Sequence, residues 1–314
     1  MIRVENLVKN YGDVKAVRGI DFEVNDGEIL GFLGENGAGK STTLKIITSF
    51  LSPTSGNVYV NDLNIQDHSL EIRKQIGYLP ELNPLYMDMR VFDLLEFSAR
   101  VRNIEGKAFK QSMARVIEQC GLNGVVHKRV SDLSKGYKQR LGIATAIIHD
   151  PKILILDEPV TGLDPNQIVE IRELIKSLGQ EKMVIISSHI LHEIEATVDR
   201  IIIIHAGEIV ANGTSEELMS GFHGKTQLTL EVKNASSDSI QKLADTFPEI
   251  ILTKMEPVNG NHLVMMEYDK NSDPRESIFN FATDKGWILL EMSLQKAQLE
   301  DIFRKLTIDG GADA

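Results

Sequence analysis

Eight residues, Gly34-Glu35-Asn36-Gly37-Ala38-Gly39-Lys40-Ser41, constrain this chain more than any other stretch. They match G-x-x-x-x-G-K-[ST], in which glycines let backbone N–H groups wrap a phosphate, Lys40 supplies a point charge and Ser41 offers a hydroxyl to Mg²⁺. The flanks supply the context this motif needs. Ile29-Leu30-Gly31-Phe32-Leu33 is an apolar run that reads as a buried strand, and Ser41 to Phe50 sets Leu44, Ile47 and Phe50 on one helical face. The loop therefore opens a helix whose N-terminus favours anions, which makes a plain Gly-rich connector a poor alternative.

The chain is 314 residues long, more than one typical core accommodates, and two domains are expected. Its longest apolar runs, such as Ile201 to Ile204, are far too short to span a bilayer, and Met1 to Asn10 lacks signal-peptide architecture. Any membrane role would come through a partner. A net charge of −11 argues against a protein that wraps a nucleic-acid backbone, since such binding draws on clustered Lys and Arg. A single cysteine, Cys120, forms no intrachain disulfide, fits a reducing compartment and reads as core packing at a helix end before Gly121.

Taken in order, residues 2–8 and 20–24 alternate apolar and polar as half-buried strands around a turn at Tyr11-Gly12-Asp13. A turn at Pro53 to Gly56 leads to strand 57–60, and 76–79 reads as another strand. From Met89 to Gly121 the spacing turns helical, as in an insertion, and an apolar helix follows Leu133-Ser134-Lys135-Gly136-Tyr137 and closes near Pro151. Two near-continuous apolar runs, 153–156 and 183–186, flank a helix from about 167 to 178, the pattern of a parallel sheet covered on both faces. Strand 200–205 and Ile209-Val210 complete a first domain that closes near Ser220. Gly221-Phe222-His223-Gly224 reads as a linker. Beyond it come strand 226–232, helix 237–246, strand 249–256, a hairpin turn at Asn259-Gly260, strand 262–268, helix 275–285, strand 287–293 and helix 297–306. This order predicts a small ferredoxin-like sandwich.

Asp157 and Glu158 end the apolar run 153–156, at the strand edge where open α/β sheets bind ligands. Asp157 suits Mg²⁺, and Glu158 suits orienting and deprotonating an attacking water. His189 stands at the corresponding end of the next strand, within reach of a γ-phosphate. His192 follows three residues on, but without Cys or carboxylate ligands at metal spacing it fits a solvated helix face. Ser134 precedes a helix and Gly136 permits close backbone approach, although by themselves they could form only an N-cap and a basic first turn.

Together these residues carry a resemblance. The phosphate loop, Leu133-Ser134-x-Gly136 some 20 residues before Asp157-Glu158, the Gly162-Leu163-Asp164 that follows, and His189 resemble the ATP-binding subunits of ABC transporters across residues 1–220. The resemblance implies an α/β fold over residues 1–220, a P-loop, RecA-like core with an N-terminal antiparallel β subdomain and a helical insertion at about 82–150, to which the element order adds an α+β, ferredoxin-like accessory domain over 221–314. It further implies ATP and Mg²⁺ as ligands. Tyr11 would stack on adenine; Gly34, Asn36, Gly37, Ala38, Gly39, Lys40, Ser41 and Thr42 would cradle the phosphates; and Ser41 and Asp157 would hold the metal. Glu158 would handle the water and His189 the γ-phosphate. Two copies would pack head to tail, so that Ser134 and Gly136 of one complete the site of the other, with Asp164 at their contact.

Two departures stand out. Lys135 and Tyr137 replace a Gly and the Gln of the usual Leu-Ser-Gly-Gly-Gln, and Glu81 follows Pro80 where a glutamine usually begins the loop. Glu81 would reach the metal or its water while adding negative charge near phosphates.

The implied role is an ATPase subunit that drives a separate integral membrane permease from the cytoplasmic face of the inner membrane, paired with itself or a related subunit. The region around Asp157 to His189 and the stretch from Ser293 to Phe303 look like exporters of the ABC-2 type, nearest the gliding-motility-associated group. A competing class, the soluble ABC ATPases of nucleic acid or the ribosome, carries coiled-coil insertions or two fused ATPase domains, and this chain shows neither heptads nor a second phosphate loop. A P-loop kinase has no need of the Leu-Ser-x-Gly stretch.

Overall fold

A computed structural model describes residues 1–222, 225–258, 260–269, 272–295, 300 and 303. The chain divides into two compact units, Met1–Ser215 and Glu216–Ile302.

The first unit opens with β1 (Ile2–Tyr11) and β2 (Val14–Val24), an antiparallel pair longer than alternation alone indicated. Register shifts after Val4, Leu7 and Lys9, with Asn6 in the left-handed region, break the period of two and so hide the strands' full length. Next come β3 (Ile29–Leu33), α1 (Lys40–Ile47), β4 (Ser55–Val60), β5 (Leu63–Asn64), α2 (Ser69–Gln75) and β6 (Ile76–Leu79). The helix after the phosphate loop is shorter than expected. It ends at Ile47, Ser49 takes φ 55°, and Phe50, expected on the buried face, is 71% exposed. The helical stretch from 89 to 121 is two helices, α3 (Val91–Val101) and α4 (Gly106–Gln119), broken where Asn103 and Gly106 take positive φ. Cys120 is buried and free at the end of α4, where burial pushes its thiol up to about 12, so it packs rather than reacts.

The rest of the unit is α5 (Lys135–Ile147), β7 (Ile153–Asp157), α6 (Pro165–Gly179), β8 (Met183–Ser188), the single turn α7 (Leu191–Ile194), β9 (Arg200–His205) and β10 (Glu208–Gly213). Six strands form one sheet in the order β10-β9-β3-β8-β7-β6, parallel except for the β9–β10 hairpin. Every residue of β3, β7 and β8 is buried, because these central strands are apolar on both faces. The sheet order makes β3, β8 and β7 neighbours, and that adjacency gathers the site. β2-β1-β4-β5 form a separate antiparallel sheet, and Phe22 and Phe32 meet between the two sheets with ring centroids 5.6 Å apart.

α8 (Ser215–Phe222) follows, so Gly221 and Phe222, expected in a linker, are helical, while His223 and Gly224 lie outside the described residues. The second unit continues with β11 (Lys225–Lys233), α9 (Ser237–Thr246), β12 (Ile250–Val258), β13 (Asn261–Asp269), α10 (Arg275–Asp284) and β14 (Ile288–Gln295). Its antiparallel sheet runs β12-β13-β11-β14, the order of a ferredoxin-like sandwich. Leu228, Leu230, Val232, Val264 and Met266 from one sheet face pack on Ile240, Leu243 and Ile278 of the two helices. The turn residue Asn259 and the helix expected over 297–306 lie outside the described residues, apart from Glu300 and Phe303.

Candidate nucleotide site

The phosphate loop takes its shape from its glycines. Gly37 and Gly39 adopt φ of 85° and 110°, and a Cβ on Gly39 would lie 2.5 Å from the Ala16 carbonyl oxygen. No side chain caps α1, so the amides of its first turn face the loop, as an anion site requires. Lys40 is 5% exposed; its Nζ donates to the carbonyls of Gly34 at 2.7 Å and Glu35 at 3.1 Å. A cleft of about 290 Å³ opens over the loop, lined by Asn36, Gly37, Gly39, Lys40, Ser41 and Thr42 together with Ala16, Glu81 and Glu158.

β7 brings the carboxylates to the same edge. Asp157, 1% exposed, accepts on Oδ1 from Ser187 Oγ at 2.6 Å and Ser41 Oγ at 3.1 Å. Its Oδ2 is buried without a hydrogen-bond partner among the described residues. A carboxylate with one oxygen held by two hydroxyls and the other free fits a cation beside Ser41, and Mg²⁺ takes one or two carboxylates plus phosphates rather than an all-protein cage. Among the described residues no three His, Cys, Asp or Glu converge on such a cage.

Glu158 is 7% exposed and takes φ 52°, a left-handed value that costs on the order of 1–3 kcal/mol and that its surroundings must impose. Its backbone N–H donates to Ser187 Oγ at 2.9 Å. Its Oε2 lies 2.8 Å from His189 Nδ1 and accepts from Thr161 Oγ1, also at 2.8 Å, while Lys40 Nζ stands 3.5 Å from Oε1. The three strand ends thus bring Lys40, Ser41, Asp157, Glu158 and His189 into one contiguous group.

Tyr11, Ser134, Gly136 and Asp164 do not line this cleft. Tyr11 is 48% exposed on β1, with Lys9 Nζ 5.3 Å from its ring centroid. Ser134 caps α5 by accepting from Tyr137 N at 3.4 Å, and Asp164 caps α6 by accepting from Gln167 N at 3.0 Å. A Cβ on Gly136 would lie 2.8 Å from the Gln167 side chain, which would have to move aside. His192 is exposed on α7, in accord with a solvated face.

Sequence reasoning missed four residues. Ser187 carries no motif, yet it bridges Asp157 and the Glu158 backbone. Thr161 was invisible for the same reason. Tyr78 is half-buried beside Asp157, and desolvation with that charge pushes its phenol well above its usual range. Glu193 has a buried, unpartnered Oε2; burial raises its carboxyl and the Glu158 charge adds to that, against the pull of His189. No motif or periodicity in the sequence marks any of the four.

A glycine-shaped phosphate cradle at the carboxyl edge of a parallel sheet, with a carboxylate pair on the neighbouring strand, defines a P-loop nucleoside triphosphatase. The family model for ABC transporters matches residues 17–161. The bacitracin transport ATP-binding protein BcrA of Bacillus licheniformis is 33% identical over 323 residues, covering 99% of this chain and 98% of that one. The linearmycin resistance ATP-binding protein LnrL of Bacillus subtilis (strain 168) is 33% identical over 315 residues, covering 98% of each. The dimeric structure of the bacterial ABC transporter cassette MJ0796 superposes with a TM-score of 0.62 at 25% identity, over 68% of this chain and 98% of that one. This chain belongs to the ABC transporter family, as an ATP-binding, ATP-hydrolysing subunit.

Proposed function

We propose that two copies of this chain, or one with a related subunit, close head to tail around two ATP molecules and drive a separate membrane-spanning permease. The observation that carries this reading is the meeting of Glu158 with Lys40 and His189 beside the phosphate loop. The loop amides and Lys40 bind the β- and γ-phosphates, and Tyr11 stacks on adenine. Ser41 and Asp157 hold Mg²⁺, with Glu81 facing it across the cleft. When bound, the ion neutralises phosphate charge and aligns the leaving oxygen.

Glu158 accepts a proton from the attacking water, and His189, held through Nδ1, turns Nε2 toward the γ-phosphate. Ser134 and Gly136 present the N-terminus of α5 to the nucleotide of the other copy, and Asp164 lies at that contact. Lys135 and Lys138, in a first turn without acidic residues, add attraction for an anion.

Among the described residues no helix is long and apolar enough to cross a membrane. The chain on this reading is peripheral, on the cytoplasmic face of the plasma membrane, and α3 with the loop 81–88 faces the permease. The names of BcrA, a bacitracin transport subunit, and LnrL, a linearmycin resistance subunit, support an exporter; the ABC-2 type and the narrower gliding-motility likeness rest on sequence alone.

Glu158→Gln is the test. It keeps ATP binding, stops turnover and accumulates an ATP-dependent dimer; an unchanged turnover rate refutes the role. In mixed dimers with wild type, Ser134→Arg stops the site on the opposite copy, and hydrolysis independent of the partner's Ser134 refutes the shared site.

A further inference from the structure

We infer that Thr161 is a positioning residue for hydrolysis: its hydroxyl pins one oxygen of Glu158 and leaves the other to meet the attacking water. The inference rests on Glu158 being the base. The two carboxylate oxygens have different surroundings. Oε2 receives Thr161 Oγ1 and faces His189 Nδ1, each at 2.8 Å, so two donors converge on it. Oε1 has only Lys40 Nζ near it, at 3.5 Å and beyond hydrogen-bond length, and Glu158 lines the cleft over the phosphate loop. A carboxylate held by two donors on one oxygen loses rotation about its last torsion, which is otherwise broad. Its second oxygen then keeps a fixed heading.

The backbone fixes Thr161 as firmly as Thr161 fixes Glu158. Thr161 N–H donates to the Glu158 carbonyl at 3.3 Å, and Leu163 N–H to the Val160 carbonyl at 3.2 Å, so residues 158 to 163 form two successive turns. Glu158 and Gly162 both take left-handed φ, 52° and 70°. Asp164 then starts α6. The hydroxyl therefore sits on a short, strained bridge between the base and the segment that the head-to-tail reading puts against the second copy. A shift of that segment on dimer closure would reach the base through Thr161. Among the described residues its hydrogen bonds run only to Glu158, and none joins it to Ser41, Asp157 or the phosphate loop, so its effect on the reaction passes through Glu158.

Thr161→Val keeps the shape and β-branching while removing the donor, and Thr161→Ser keeps the donor while removing a methyl. On the full-length protein, Thr161→Val is expected to lower kcat by about tenfold, the effect of losing one hydrogen bond to a charged group, with the KM for ATP unchanged. The ATP-held dimer should also persist longer, as a weaker form of the Glu158→Gln trap. Thr161→Ser should restore both. Wild-type kcat in Thr161→Val, a loss that Thr161→Ser shares in full, or a rise in KM that accounts for the loss would each overturn the inference. Glu158→Gln assayed alongside separates the failures. If it turns over, the base reading falls and takes this one with it; if it is dead while Thr161→Val is fully active, only the role of Thr161 falls.

Discussion

Ser187→Ala is the sharpest test of how the two carboxylates are held. Ser187 is fully buried, and its single hydroxyl does two jobs: it donates to Asp157 Oδ1 at 2.6 Å and accepts the Glu158 backbone N–H at 2.9 Å. Alanine leaves that N–H buried with no acceptor, a cost of about 1–3 kcal/mol, and removes a hydrogen bond to a charged group worth about 1.5–3 kcal/mol. Ser41 Oγ still donates to Asp157 Oδ1 at 3.1 Å, which keeps the second cost near its lower end. The net loss is therefore about 3 kcal/mol. In a unit of this size each kcal/mol moves Tm by about 2–4 °C, so the first unit should melt about 6–12 °C lower. The chain has one tryptophan, Trp287, buried in the core of the second unit. Far-ultraviolet circular dichroism should follow the loss while Trp287 fluorescence keeps its transition. Ser188→Ala is the contrast, because Ser188 Oγ exchanges hydrogen bonds with the Ile190 backbone, at 3.0 Å each way, and touches neither Asp157 nor the Glu158 backbone; it should cost about 1 kcal/mol. Equal melting of Ser187→Ala and wild type would refute the bridging account.

Gly39→Ala forces a side chain toward the Ala16 carbonyl in a left-handed conformation; it should cost on the order of 3 kcal/mol and abolish ATP binding by calorimetry, whereas Gly37→Ala, with open space around its Cβ, should keep more of both. His149 supplies a pH effect. Burial, with the Arg102 charge, lowers its imidazole to about 4, and its Nε2 lies 3.2 Å from the Ile76 carbonyl oxygen. Because the folded value lies below the ordinary 6.5, the stability is complete above pH 6.5 and drains away as pH falls toward 4. Discounted for partial exposure, the loss is about 2 kcal/mol, and thermal melts of His149→Gln across that window should lack it.

The fold was legible where periodicity and burial agree. The fully buried runs of β7 and β8 announced a covered parallel sheet because strands apolar on both faces have few other places to go. The second unit was readable from its element order and the Asn259-Gly260 turn. Legibility failed at local backbone decisions. Whether α1 stops at Ile47 depends on Ser49 turning left-handed, which no apolar period records, and so Phe50 was placed on the wrong face. In the β1–β2 pair, bulges shift the period by one and hide 9–11 of β1 and 14–19 of β2.

The site divides along a related line. Lys40, Ser41, Asp157, Glu158 and His189 can be read because their chemistry sits at strand ends, and one sheet order then brings residues 116 positions apart, such as Ser41 and Asp157, within 3.1 Å. Ser187 and Thr161 cannot be read, since a serine inside a strand and a threonine in a turn are common and their value lies only in what they touch. Yet those hydroxyls determine which oxygen of each carboxylate is occupied and which is left free. Asp157 keeps Oδ2 open because Ser187 and Ser41 share Oδ1, and Glu158 keeps Oε1 open because Thr161 and His189 share Oε2. The same asymmetry recurs on adjacent residues with different donors. On one side it leaves an oxygen for a cation and on the other an oxygen for a water, so the motif supplies the charges while unmotivated hydroxyls divide their labour.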